Sequence, residues 1–265
     1  MALWFVGLPA LRTRWFVVCS IVWLCFGMVQ VEEWRSVLRG VLPTEEVESS
    51  LRITSVNCSG SMFSVRDAMI EVPDVLLIQE SPPLHALSGF LIEHTEYQLL
   101  FGLDTSILVR GGIREAHRKQ FYTMGSAVID GQDYCIVSLR LLTSNPRVDL
   151  WKADCWKAQV YNRQRQIQQL TEIVGLLPDD VALIVGGDFN VPQRDGIFDQ
   201  MNDRLEDSFV SGGRGWCNTV LVDFPMLRID QVWTNRTLSC FDASVRKSPK
   251  TDHLLYTARF AFVDL

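Results

Sequence analysis

Eight short runs of apolar, branched and aromatic residues predict β-strands at 51–57, 74–80, 105–110, 124–130, 133–141, 181–187, 227–233 and 254–262. Two segments carry a helical period instead, near 61–71 and at 157–176. In the second, Ile167, Leu170, Ile173 and Val174 form the apolar stripe, and Arg163 and Gln166 lie on the polar face. Gly131-Gln132, between two apolar runs, reads as a hairpin turn. One apolar run is of another kind. Trp15 to Val31 is uncharged over 17 residues, with Arg12 and Arg14 before it and Glu32 and Glu33 after it. That length is at the lower limit for a membrane-spanning helix. The upstream cations predict an N-terminus in the cytoplasm and a main domain outside it. No small-x-small cleavage site follows, so an uncleaved signal anchor is expected rather than a removed peptide. The expected organisation is a cytoplasmic stub and anchor at 1–34, a connector at 35–50 with a break at Pro43, and one large domain at 51–265.

The strand ends say more than the strands. Val181 to Val185 runs into Gly186-Gly187-Asp188-Phe189-Asn190, so a buried strand empties into two glycines and then presents a carboxylate and a carboxamide. In an extended chain, positions i and i+2 face the same way, which predicts Asp188 and Asn190 in one pocket with Phe189 anchored opposite. Four further segments place polar groups at strand ends. Arg52 to Asn57 closes on an amide and Val75 to Glu80 on a carboxylate; Leu227 to Trp233 alternates, with Asp230 opposite its apolar neighbours; Ser248 to His253 precedes the last strand. An unpaired carboxylate in a core is costly, so five such segments predict acids converging at one edge of a sheet. Singly, each has a bland reading: Asn57 as a turn residue, His253 as a cap, Asp230 as the ion-pair partner of Arg228.

In this order, the Asn57 strand, the Gln79-Glu80 strand, Gly187-Asp188-Phe189-Asn190, Arg228-Ile229-Asp230 and Thr251-Asp252-His253 resemble the endonuclease/exonuclease/phosphatase superfamily, over about Leu51 to Phe262. The resemblance implies an α+β fold, a four-layer α/β/β/α sandwich of two packed mixed β-sheets, with the N-terminal transmembrane or signal-anchor helix appended. It also implies hydrolysis of phosphate esters. Hard oxygen donors without a cysteine–histidine cluster suit Mg²⁺ or Mn²⁺, with Glu80 the best single ligand and Asn57 and Asp252 contributing nearby. Asp188 would orient or deprotonate the attacking water, and Asn190 would hold that water or a phosphate oxygen. By the same resemblance, Asp230 would hydrogen-bond His253 and favour its charged form.

One position departs from the family. After the strand Tyr134 to Leu139, many members place a histidine; here Arg140 stands. Arginine can bind phosphate bidentately, but its pKa excludes general-acid work. Arg140 therefore joins Asp188, Asn190, Asp230 and His253 as a candidate catalytic group, with a solvent-facing role as its alternative.

Composition narrows the partners. Hydrophobic residues make up 48%, ample for a sizeable core, and the net charge of −6 argues against a DNA-coating protein, which would be basic. A locally positive nuclease site remains compatible with that charge. The expected partners are a phosphate-ester substrate (nucleic acid, phospholipid or small molecule) and a membrane reached through the N-terminal helix; no obligate protein partner is evident. Seven cysteines show no CxxC or zinc spacing. The leading expectation is a phosphodiesterase or endonuclease-like enzyme. The alternatives are a lipid or small-molecule phosphoesterase at a membrane surface, and a degenerate binder of phosphorylated ligands. Trp216, Asn218 and Thr219 are candidates for a substrate-facing loop.

Overall fold

The computed structural model describes residues 14–30, 32–40, 50–143, 151–220, 222–223 and 226–263. Pro43 and residues 144–150 lie outside the described residues. Two six-stranded mixed sheets pack face to face. The first runs β11 (Leu238–Lys247), β12 (Leu254–Phe262), β1 (Leu51–Asn57), β2 (Val75–Gln79), β4 (Thr105–Val109), β3 (Gln98–Phe101). The second runs β5 (Gly112–Arg118), β6 (Tyr122–Ile129), β7 (Gln132–Arg140), β8 (Ala182–Asp188), β10 (Asp230–Thr234), β9 (Glu206–Asp207). Each sheet centres on one parallel pair, β1–β2 and β7–β8, whose neighbours are antiparallel. The carboxyl ends of β1, β2, β7 and β8 and the amino ends of β4, β10 and β12 therefore reach the same edge. That arrangement lets distant segments supply one site.

Three apolar clusters account for the layers. Ile53, Leu77, Ile107, Ile136, Ile184, Val232 and Tyr256 fill the space between the sheets. Helix α5 (Ala153–Leu176) covers the outer face of the second sheet with Leu170 and Ile173 against Val137, Val185 and Phe189. Helices α3 (Met62–Met69) and α4 (Leu84–Leu91) cover the first with Val65, Ala68 and Leu87 against Val56 and Ile78. Short helices α6 (Asp199–Asn202) and α7 (Ser208–Gly212) flank β9. The turn between β6 and β7 is Asp130-Gly131, both with positive φ, one residue earlier than the sequence suggested. Strands β3, β5, β9 and β11 escaped the sequence reading. In β5 the burial alternation is lost, because an edge strand need not bury one face.

The N-terminal expectation needs correction. Residues Arg14–Gln30 form helix α1, of 17 residues, yet no helix among the described residues is long and apolar enough to cross a membrane. At about 1.5 Å per residue, such a helix falls short of a hydrocarbon layer of roughly 30 Å. A second helix, α2 (Glu32–Gly40), straddles the expected boundary between anchor and connector. It docks on the main domain: Arg39 donates to the carbonyls of Val210 and Ser211 at 2.8 and 2.9 Å, and Gly215 N–H donates to Ser36 O at 2.8 Å. Among the described residues no disulfide joins any of the seven cysteines, and the five of the main domain are buried.

Candidate active site

Asp188 is the last residue of β8 and is 1% exposed. Gly187 before it has φ +137, and a Cβ there would stand 2.1 Å from Leu139 O, so only glycine lets β8 lie this close to β7. Asp188 sits in register between Arg140 on β7 and Asp230 on β10. Two carboxylates directly opposite repel in a sheet, and two groups relieve them. His253 Nδ1 lies 2.8 Å from Asp230 Oδ2, and Arg140 Nε lies 3.9 Å from Asp188 Oδ2.

Asn190 does not reach Asp188 along an extended chain. Its φ is +50, and the backbone turns back so that Asn190 N–H donates to Asp188 Oδ1 at 2.9 Å. The side-chain amide donates to Leu141 O at 2.9 Å and to Asp188 Oδ2 at 3.2 Å. The amide thus fixes the carboxylate while being itself anchored to the Leu141 carbonyl. Phe189 is buried against Phe198, as its position between the two polar residues predicted.

The first sheet delivers the rest. Asn57, buried at the end of β1, donates from Nδ2 to Glu80 Oε1 at 3.1 Å and to Asp188 Oδ2 at 3.2 Å. Glu80 follows β2 at φ +46, a turn that brings its carboxylate against Arg140 Nη2 at 2.8 Å. Asp104 holds Arg140 Nη1 at 3.1 Å. Sequence reasoning missed Asp104, although a carboxylate just ahead of a strand antiparallel to β2 carries the same signal as Asp230 and His253. Asp252 is exposed at the margin and accepts from Ser59 Oγ at 3.4 Å. Arg228 does not pair with Asp230. It lies 1% exposed in a bidentate pair with Asp207, at 2.9 and 2.6 Å, so the strand does not alternate in the expected sense and β10 begins only at Asp230.

Thr219 is buried beneath the site, where its hydroxyl accepts from the N–H groups of Ile229 and Asp230, both at 3.2 Å. Its carbonyl accepts from Leu254 N–H at 2.8 Å, so one residue braces the chain beside both Asp230 and His253. Trp216 is 49% exposed, whereas Asn218 is buried. Gln166 braces the far side by donating to Leu142 O at 2.8 Å.

The electrostatics follow from burial and these pairings. Burial raises the Asp188 pKa to about 7, and Asp230 adds to the rise against the opposing pull of His253, the Asn190 N–H and Arg140. For His253 burial works against the charge, but Asp230, Asp188 and Asp252 outweigh it and lift the pKa to about 10. A base poised near neutrality beside a permanent cation is an arrangement suited to acid–base chemistry.

The donor set fits a hard divalent ion. Among the described residues, Glu80, Asp104, Asp188, Asp230 and Asp252 pair with no cations other than Arg140 and His253, and Asp230 Oδ1 is buried without a hydrogen-bond partner. Ligand atoms of Asp188, Asp230 and His253 also lie within 4.8 Å of one another. There, however, His253 Nδ1 is already engaged by Asp230, which leaves partly exposed Glu80, beside Asn57, as the oxygen donor that an ion from solvent can reach.

A sandwich of this kind with a carboxylate, imidazole and amide cluster at one sheet edge is that of a phosphoester hydrolase. The sequence profile of the Endonuclease/Exonuclease/phosphatase family matches residues 54–253, and the chain belongs to that family. Among solved structures, D. rerio TDP2 complexed with a single-strand DNA product is 17% identical, with a TM-score of 0.61 over 81% of this chain and 100% of that one. Staphylococcus aureus beta toxin is 13% identical, with a TM-score of 0.60 over 78% and 99% of the two chains. The Bacteroides thetaiotaomicron mannosyl-6-phosphatase Bt3783 is 16% identical, with a TM-score of 0.57 over 80% and 100%. At these identities the likeness establishes the fold. No curated protein matches the chain in sequence.

Proposed function

We propose that this protein is a divalent-metal-dependent phosphodiesterase that hydrolyses its substrate by in-line attack of water. The observation that carries the reading is the buried chain Asp188–Asp230–His253 set beside Glu80 and Asn57. Asp188, with its pKa near the working pH, accepts the proton of the attacking water. Asn190 and Asn57 hold that carboxylate in place, and Asp230 holds the His253 imidazole. His253, charged at neutral pH, offsets negative charge developing on the phosphoryl oxygens, and Arg140 offers a second, forked cation for the same oxygens. A bound Mg²⁺ or Mn²⁺ would be held by Glu80 with Asn57, and Asp252 on the rim, and would supply Lewis-acid polarisation of the phosphoryl group. Cleavage of a nucleic-acid strand is the substrate reading favoured by analogy with the DNA-bound relative of the same fold.

The second reading is a lipid phosphoesterase working at a membrane surface, with the domain outside the cytoplasm. It is favoured by α1, where Val17, Val18, Ile21, Val22, Trp23 and Leu24 are between 43% and 63% exposed, more apolar surface than water tolerates well. The deciding experiment is hydrolysis by the full chain with Mg²⁺ or Mn²⁺ of bis-p-nitrophenyl phosphate, p-nitrophenyl phosphate, single-stranded DNA and sphingomyelin. Asp188→Asn and Glu80→Gln serve as controls. Diester or DNA turnover reduced about 10²- to 10⁴-fold in Asp188→Asn supports the proposal. Preference for sphingomyelin supports the second reading, and full activity in both variants refutes the site. Binding of a phosphorylated ligand without turnover would instead identify a non-catalytic binder.

A further inference from the structure

The acidic end of the site contains a cation of its own. Arg140 places Nη2 at 2.8 Å from Glu80, Nη1 at 3.1 Å from Asp104 and Nε at 3.9 Å from Asp188, where Nε is buried without a hydrogen-bond partner. The Glu80 oxygen it takes, Oε1, also accepts from Asn57 Nδ2. The carboxylate oxygen nearest the rest of the site is therefore already occupied by positive charge. Glu80, Asp104 and Arg140 side chains are 34%, 32% and 28% exposed, so an ion from solvent can reach them without unfolding. A guanidinium presents its donors in a fixed planar fork and so holds two carboxylates in a set geometry, whereas an ammonium is a compact point charge on a flexible stem.

We propose that Arg140 is a resident counter-cation competing with the divalent ion for Glu80, and that Asp104 is where the guanidinium stays when the ion displaces it. The inference rests on the divalent-ion reading above and adds to it a concentration threshold: the ion must break a charge-assisted contact before it binds. Asp104 lowers that threshold by keeping Arg140 satisfied off Glu80. The two residues of one ion pair thus act in opposite directions on metal affinity.

The test is calorimetric titration of the full chain with MnCl₂, without substrate. Arg140→Met should bind Mn²⁺ about tenfold more tightly than wild type, the size of one lost charged contact. Asp104→Asn should bind it more weakly. Arg140→Lys, which keeps the charge but not the fork, should also bind more tightly. Wild-type affinity in Arg140→Met overturns the proposal. So does a lysine variant indistinguishable from wild type, because charge at a distance would then suffice. Should Arg140→Met fail to fold, the lysine and asparagine variants, opposite in expected sign, decide the matter. Glu80→Gln separates the two levels of argument: undiminished Mn²⁺ binding there removes the ion from Glu80 and refutes the divalent-ion reading itself.

Discussion

Two arginines of this protein each sit against carboxylates, and almost nothing else about them is alike. Arg228 is 1% exposed, pairs bidentately with Asp207 alone and lies 5.3 Å from the centre of the Phe209 ring. Asp207 in turn accepts from the Phe209 N–H at 3.0 Å, capping α7. Arg140 is more open to water and is shared among Glu80, Asp104 and Asp188 without a bidentate contact to any of them. One charge matched to one partner in a dry pocket fixes a strand to a helix. One charge divided among three acids leaves negative charge over, which is what a cationic ligand or a phosphate-handling site can use. The first arrangement suits a structural role, and the second suits the charge handling proposed for the site.

Four substitutions test the contrast between the two arginines. Arg228→Met should have the largest effect, about 3–5 kcal/mol of lost stability in urea unfolding, because it leaves Asp207 charged and buried without a partner. His253→Gln comes next and is read through pH. The His253 pKa rises from 6.5 to about 10 on folding, so its charge contributes stability that is fully present below pH 6.5 and fades as pH rises through 10. The variant should flatten that decline in melting temperature between pH 6.5 and 10. Since His253 also lowers the Asp188 pKa, the rising limb of the pH–rate profile, expected near pH 7 for wild type, should move to higher pH in the variant. Arg140→Met should change stability by only about 1 kcal/mol, given solvent access to the pair. A loss as large as that of Arg228→Met would erase the distinction between the two arginines. Smallest of all, Arg114→Ala breaks an exposed pair with Asp133, whose side chains are 64% and 59% exposed, and should stay within about 0.5 kcal/mol of wild type.

Much of the site was legible because strands that end at one edge in a mixed sheet carry their chemistry at those ends. Asp188, Glu80, Asn57 and Asp230 were all visible as polar groups terminating or opening apolar runs. Their route into the site was less legible. Asn190 meets Asp188 through a left-handed turn rather than along a strand, and Glu80 turns off β2 at positive φ. Asp104 carried the strand-end signal but not its pairing, because its partner Arg140 is 36 residues away, on the other sheet. The apolar N-terminal run was correctly helical in pattern, but among the described residues no helix is long and apolar enough to cross a membrane, which its hydropathy alone did not reveal.

Strand-end polarity and glycine breaks, which are local properties of the chain, indicated an edge at which acids collect and the residue types available there, while the class of the fold came from the family resemblance those motifs carry. Only the tertiary structure decided who pairs with whom. Arg228 and Asp230 stand two residues apart, yet one closes on Asp207 and the other on His253. The choice depends on which strands neighbour β10 and on what burial each charge must offset. Those are long-range quantities, and they separate a structural arginine from a site carboxylate within the same three residues.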